Sequence, residues 1–172
     1  WQEMKKLMRA EEVESIFDVE TELFPCLVDM RFLGVRVDIE GAHLLKQKLV
    51  QEEKECLLQV QRETGIEPQI WAARSIEKVF QKLSLPFDRT EKTGAPSFTK
   101  NFLQNHPHKL VKLIARAREI NKAHTTFIDT IIKYEHKGRI HAEINQLRSD
   151  QGGTVTGRFS YANPNLQQIP AR

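Results

Sequence analysis

The chain is poor in the features that usually announce an enzyme or a membrane protein. Two cysteines, Cys26 and Cys56, are too few for a disulfide framework and stand at no metal-ligand spacing, so both read as reduced thiols of a cytoplasmic protein. No stretch approaches 18 consecutive apolar residues, which excludes a helical membrane span and a membrane partner. The opening segment WQEMKKLMRAEEVES lacks the apolar core of a signal peptide. There is no CxxC, HExxH, P-loop or GxSxG pattern. His106 and His108 have no third ligand near them in sequence, and the paired carboxylates look like solvated helix faces. No nucleophile, base and orienting group can be assembled, so no catalytic residue and no metal ligand is predicted in this chain. Repeats and low-complexity runs are absent too.

What is present is a segregated charge. The net value over 172 residues is only +3, but residues 100–139 hold nine Lys and Arg against three Asp and Glu, while residues 1–63 hold nine against fourteen. A basic stretch of forty residues suggests a polyanion contact on part of the surface.

Periodicity predicts a mainly α fold. A short helix is expected over 1–18, and a second over 22–33 with Pro25 in its first turn, where no N–H is needed, and Gly34 as its stop. Asp38 is a suitable N-cap for a long helix to Thr64, with Ala42, Leu45, Leu49, Cys56 and Val60 as its apolar stripe and Gly65 after it. A short helix around Ile76, Val79, Phe80 and Leu83 leads into FDRTEKTGAPSFT, an exposed loop, and Thr99 or Ser97 can cap the next turn. A second long helix is expected over 109–134, lined by Leu110, Leu113, Ile114, Ala117, Ile120, His124, Phe127, Ile128 and Ile131. The alternation in 139–144 reads as a strand, and the polar, glycine-containing remainder reads as chain that lies over something else. The two long helices are expected to run antiparallel as a stalk.

Binding residues stand out where catalytic ones do not. On the helix 109–134, Lys109, Lys112, Arg116 and Lys122 share a broad face with Arg118 near its edge, and Thr125 and Thr126 add hydroxyls. Cations at that pitch suit a phosphate backbone. The loop adds Arg89, Lys92 and Lys100. In the tail TGRFSYANPNLQQIPAR, Arg158, Asn165 and Gln167 carry donors that match the acceptors every base pair shows in the minor groove. Two readings remain from the residues alone: a sequence-independent duplex binder, and a non-enzymatic helical interaction or adaptor module.

The segment Thr156-Gly157-Arg158, followed by Pro164-Asn165-Leu166-Gln167-Gln168-Ile169-Pro170 and Arg172, resembles the first motif of family A, polymerase I-like DNA polymerases. The likeness extends upstream through Gly34-Val35-Arg36-Val37-Asp38, Lys92-Thr93-Gly94-Ala95-Pro96-Ser97, the stretch from Arg118 to Phe127, and Gly138-Arg139-Ile140-His141. Phe159, Tyr161 and Gln168 depart from the usual pattern, and the longer stretch from Leu147 to Gly152 is more similar to a phage branch.

The resemblance implies a piece of a DNA-directed DNA polymerase. Residues 1–20 would leave an exonuclease-like domain, 21–137 form the thumb and 138–172 the first strip of the palm. It implies a monomer whose partner is primer–template duplex, with dNTP and Mg²⁺ used only by the full enzyme through carboxylates downstream of this chain. It places Arg158 at the primer-terminal minor groove, Asn165 and Gln167 beside it, and Arg172 toward the active-site entrance. Lys112, Arg116, Arg118, Lys122, Thr125 and Thr126 would lie along the duplex backbone, with Lys92, Ser97, Thr99 and Lys100 on phosphates further along.

Overall fold

The fold is described here from a computed structural model that covers residues 1–148 and 152–170. It is mainly α, and by its contacts the chain divides into two compact units. One comprises Glu40–Asp129, the other Trp1–Ile39 together with Thr130–Arg172.

The unit Glu40–Asp129 is built on two long antiparallel helical segments. Helix α3, Ile39–Thr64, has 26 residues and so a length of about 39 Å. Its counterpart is α6, Lys109–Lys122, continued by a π-helical turn, Ala123–Ile128, and by α7, Asp129–Tyr134. Lys46 pairs with Asp129 at 2.5 Å and Glu53 with His124 at 2.6 Å, so advance along one helix meets retreat along the other. Between them in sequence come α4, Ala73–Lys82, a two-stranded hairpin of β2, Asp88–Arg89, and β3, Pro96–Ser97, and α5, Lys100–Asn105. Thr99 caps α5 by accepting a bond from the Phe102 amide at 3.3 Å, as its hydroxyl predicts.

The core of this unit centres on Phe80, whose ring meets those of Phe87, Phe98, Phe102 and His106. Val60, Ile76, Val79, Leu103, Leu110, Val111, Ile114 and Ala117 close around it, fully or almost fully buried. Each large side chain so buried contributes about 1.5–3 kcal/mol. The stripe expected on α3 is realised only in part. Cys56 and Val60 are buried, but Leu45 remains 49% exposed. The aromatic cluster meets only the C-terminal part of α3, whereas the Lys46–Asp129 pair holds the other end. The π-turn has no sequence signature: the Asp129 amide donates to the His124 carbonyl five residues back, and Thr125 Oγ1 donates to the Asn121 carbonyl at 2.7 Å.

In the other unit, the helix expected over 1–18 is two helices, α1, Gln2–Ala10, and the start of α2, Glu14–Leu33. Glu12 takes φ +57°, and the Val13 and Glu12 amides donate to the Met8 and Arg9 carbonyls at 3.0 and 3.2 Å. That is a Schellman stop without its usual glycine, which hid it from a sequence reading. Pro25 lies inside the 20-residue α2, not in a first turn. It forfeits one internal hydrogen bond, a loss the many others in so long a helix absorb.

The expected strand over 139–144 is likewise divided. β5, Arg139–Ile140, sits between β1, Val35–Arg36, and β4, Glu135–His136, in one antiparallel sheet. β6, Glu143–Asn145, pairs with β7, Ser160–Ala162, in another. Gly34 takes φ +67°, and a Cβ there would lie 2.8 Å from both His141 Nδ1 and the Ile140 carbonyl oxygen, so the close approach of α2 to β5 requires glycine. No helix among the described residues is long and apolar enough to cross a membrane.

Candidate nucleic-acid interface

On α6 the side chains of Lys112, Arg116 and Lys122 are exposed, while its opposite face buries Leu110, Val111, Ile114 and Ala117. Helical periodicity therefore delivers cations to solvent as the sequence predicts. The cations differ in what they have left to offer. Among the described residues Lys112 and Lys122 form no ion pair, but Arg116 is bonded to Glu52 at 2.8–2.9 Å. Arg118 is half-buried. Its Nε donates to the Ile70 carbonyl and its Nη1 to the Phe98 carbonyl, each at 2.7 Å, and burial lowers its pKa from the usual guanidinium value. Its charge tethers two loops to α6. Thr125 and Thr126 are both exposed, but Thr125 spends its hydroxyl hydrogen on the Asn121 carbonyl and keeps only acceptor capacity.

The loop between β2 and β3 is folded on itself. The Gly94 amide donates to the Thr90 carbonyl and the Thr90 amide to the Ala95 carbonyl, each at 2.8 Å, while Arg89 Nη1 donates to the Gly94 carbonyl at 2.9 Å and Nη2 to Glu77 at 2.6 Å. Arg89 is thereby a staple, and Lys92 is left exposed on the loop. Thr99 and Lys100 are exposed at the start of α5, and Ser97 is half-buried.

The tail belongs to the other unit and is anchored by β7. Asn163 Nδ2 donates to Glu143 at 3.1 Å, and its Oδ1 accepts from the Tyr134 hydroxyl at 3.3 Å. Arg158 is exposed, and its backbone carbonyl accepts from Thr154. Asn165 uses its Oδ1 to accept from the Gln167 amide at 3.1 Å, which leaves its NH₂ free to donate outward. Gln167 spends one N–H on the Phe159 carbonyl at 3.1 Å and retains a second. All three side chains are exposed. Arg172 lies outside the described residues. Among the described residues no three His, Cys, Asp or Glu side chains converge as metal ligands, so nothing described fits a Mg²⁺ site.

The profile of DNA polymerase family A matches residues 40–172. The chain belongs to DNA polymerase family A. A DNA-directed DNA polymerase of Pseudomonas phage M6 is 31% identical over 167 residues, covering 91% of this chain and 25% of that protein. The thermostable DNA polymerase I of Thermus filiformis is 35% identical over 161 residues, covering 90% of this chain and 19% of that one. Among solved structures, the polymerase domain of Pol1 from M. smegmatis, in complex with DNA primer–template and dNTP, superposes with a TM-score of 0.68 at 23% identity, over 85% of this chain and 26% of that one. This family A chain thus spans about a fifth to a quarter of the length of these relatives.

Several residues of the surface escaped the sequence reading. Trp71 is 61% exposed and fixed in place by Asn121. Gln104 and Glu119 are bonded to each other across α5 and α6. Trp71 and Gln104 stand in no motif or periodic stripe, and only the packing of the chain brings them beside α6.

Proposed function

We propose that this chain is the duplex-holding part of a DNA-directed DNA polymerase, with residues 21–137 as its thumb and 138–172 as the opening of its palm. The compact unit Glu40–Asp129 then falls wholly within the thumb residues. In the whole protein, primer–template and dNTP are the substrates and Mg²⁺ supplies the two-metal chemistry from carboxylates elsewhere. The protein acts as a soluble cytoplasmic monomer.

One observation carries the reading. Lys112 and Lys122, exposed on α6 and without an ion pair among the described residues, stand opposite a buried apolar face, while Arg158, Asn165 and Gln167 stay exposed on an anchored tail. Lys112, Lys122, Thr126, Lys92, Ser97, Thr99 and Lys100 contact phosphates, and Arg158, Asn165 and Gln167 donate into the minor groove. Arg116, Arg118 and Thr125 hold the local fold on which those contacts depend. Membership of the family favours this reading over an interaction adaptor.

Titration of a labelled primer–template duplex at increasing salt tests it. Binding insensitive to base sequence, with log K falling steeply against log salt, is the expected result. No binding at low salt, or binding indifferent to salt, refutes it.

A further inference from the structure

We infer that the cavity beside Trp71 binds one nucleotide of single-stranded DNA, its base against the indole and its phosphate between Lys100 and Lys122. The inference deepens the nucleic-acid reading above and rests on it for the polymer, though not for the geometry.

The cavity measures about 260 Å³ and opens between α5, α6 and the segment before α4. Leu103 and Ala115 supply apolar surface to it. The size lies just under the roughly 300–1,000 Å³ of sites for drug-sized ligands, which suits a single base and excludes a base pair.

The indole is prepared for a stacking partner. Its N–H is already satisfied by Asn121 Oδ1 at 2.8 Å, and Asn121 in turn donates to Glu53 at 3.0 Å. The Arg118 guanidinium stands 5.4 Å from the ring centre and is itself held by two carbonyls. A ring so fixed has little rotamer freedom left to lose on binding. Yet 61% of the residue is open to solvent, and no other aromatic ring stacks on it among the described residues. Bases of every kind stack on such a ring, whereas paired bases keep their faces inside the duplex.

The charges favour an anion. Lys100 and Lys122 both line the cavity and form no ion pair among the described residues. The single carboxylate there, Glu119, is bonded to Gln104 and lies 4.0 Å from Arg116, so its repulsion of a phosphate is offset. An apolar floor, a fixed exposed indole and two free ammonium groups together match a base with its phosphate and no simpler ligand.

The chain has two tryptophans, so Trp1→Phe leaves Trp71 as the sole indole reporter. Its fluorescence is titrated with a thymidine octanucleotide, thymidine monophosphate and a blunt hairpin duplex. Saturable quenching by the octanucleotide is expected, at a concentration about tenfold below that needed for the mononucleotide. Lys100→Glu with Lys122→Glu, both exposed and harmless to the core, is expected to weaken octanucleotide binding at least about tenfold. Trp71→Ala causes a similar loss by anisotropy of a labelled octanucleotide, Trp71→Phe restores most of it, and both leave duplex binding within about twofold. Absence of quenching, indifference to the charge reversals, equal affinity for the mononucleotide, or quenching by the duplex as strong as by the single strand overturns the inference. Duplex binding together with no Trp71 quenching by the octanucleotide refutes this site alone. Single-strand binding that follows Trp71 without any duplex binding refutes the proposed function and leaves this site standing.

Discussion

Glu53 Oε2 lies 2.6 Å from His124 Nε2, with only 14% and 9% of the two side chains exposed. An ionised carboxylate can only accept, so the imidazole hydrogen sits on Nε2. His124 Nδ1 is buried and has no hydrogen-bond partner among the described residues. The pair joins α3 to the π-turn, and Glu53 Oε1 also accepts from Asn121, which fixes Trp71. One carboxylate therefore serves both helix pairing and the orientation of the exposed indole.

Removal of that carboxylate strands a buried imidazole. Glu53→Ala is expected to cost about 1–3 kcal/mol in urea denaturation, the range for a buried polar group left without its hydrogen-bond partner. Glu53→Gln, which keeps an acceptor, is expected to cost less than half as much. Equal losses for the two variants would show that packing, not the bond, matters at this position.

Gly34→Ala meets two obstacles at once, a positive φ and a Cβ 2.8 Å from His141 and from the Ile140 carbonyl. A loss of about 1–3 kcal/mol is expected. Hydrogen exchange localises it: amides of β1 and β5 should exchange faster, while those around Phe80 stay protected.

His106 packs against Phe80 and Phe102, and its Nδ1 accepts from the His108 amide at 3.1 Å. Burial first, then the neighbouring His108, lowers its pKa from 6.5. The folded chain then binds fewer protons than the unfolded chain in that window, so stability is present above pH 6.5 and is lost as pH falls through the depressed value. In His106→Phe, which keeps the ring packing and does not titrate, the urea midpoint should decline less between pH 7 and pH 5.

Lys112 and Arg118, though six residues apart on one helix, are expected to fail in different ways. Lys112→Ala should leave the melting temperature unchanged and reduce the salt slope of duplex binding by about 1. Arg118→Ala should lower the melting temperature, since the Ile70 and Phe98 carbonyls both lose their donor. Unchanged stability in Arg118→Ala would return that residue to the direct contacts.

Residue periodicity and turn chemistry made much of the fold legible in advance. The ends of α3 at Asp38 and Gly65, the cap at Thr99 and the apolar line from Leu110 to Ile128 are local matters, set by residues within a turn or two of one another. The Glu12 stop and the π-turn at Ala123–Ile128 were not legible, because each rests on backbone geometry without its customary residue.

By itself the amino-acid order determined the helices, the basic face and the motif from Thr156 to Pro170, since spacing and side-chain type suffice for these. Only the tertiary structure decided which charged groups remain available. Arg116 meets Glu52, 64 residues away, and Arg118 meets the Ile70 carbonyl, 48 residues away. Trp71 and Asn121, 50 residues apart, likewise form one feature. Hydrogen bonds and ion pairs depend on distances of a few ångströms, and between residues so far apart in sequence only folding sets those distances.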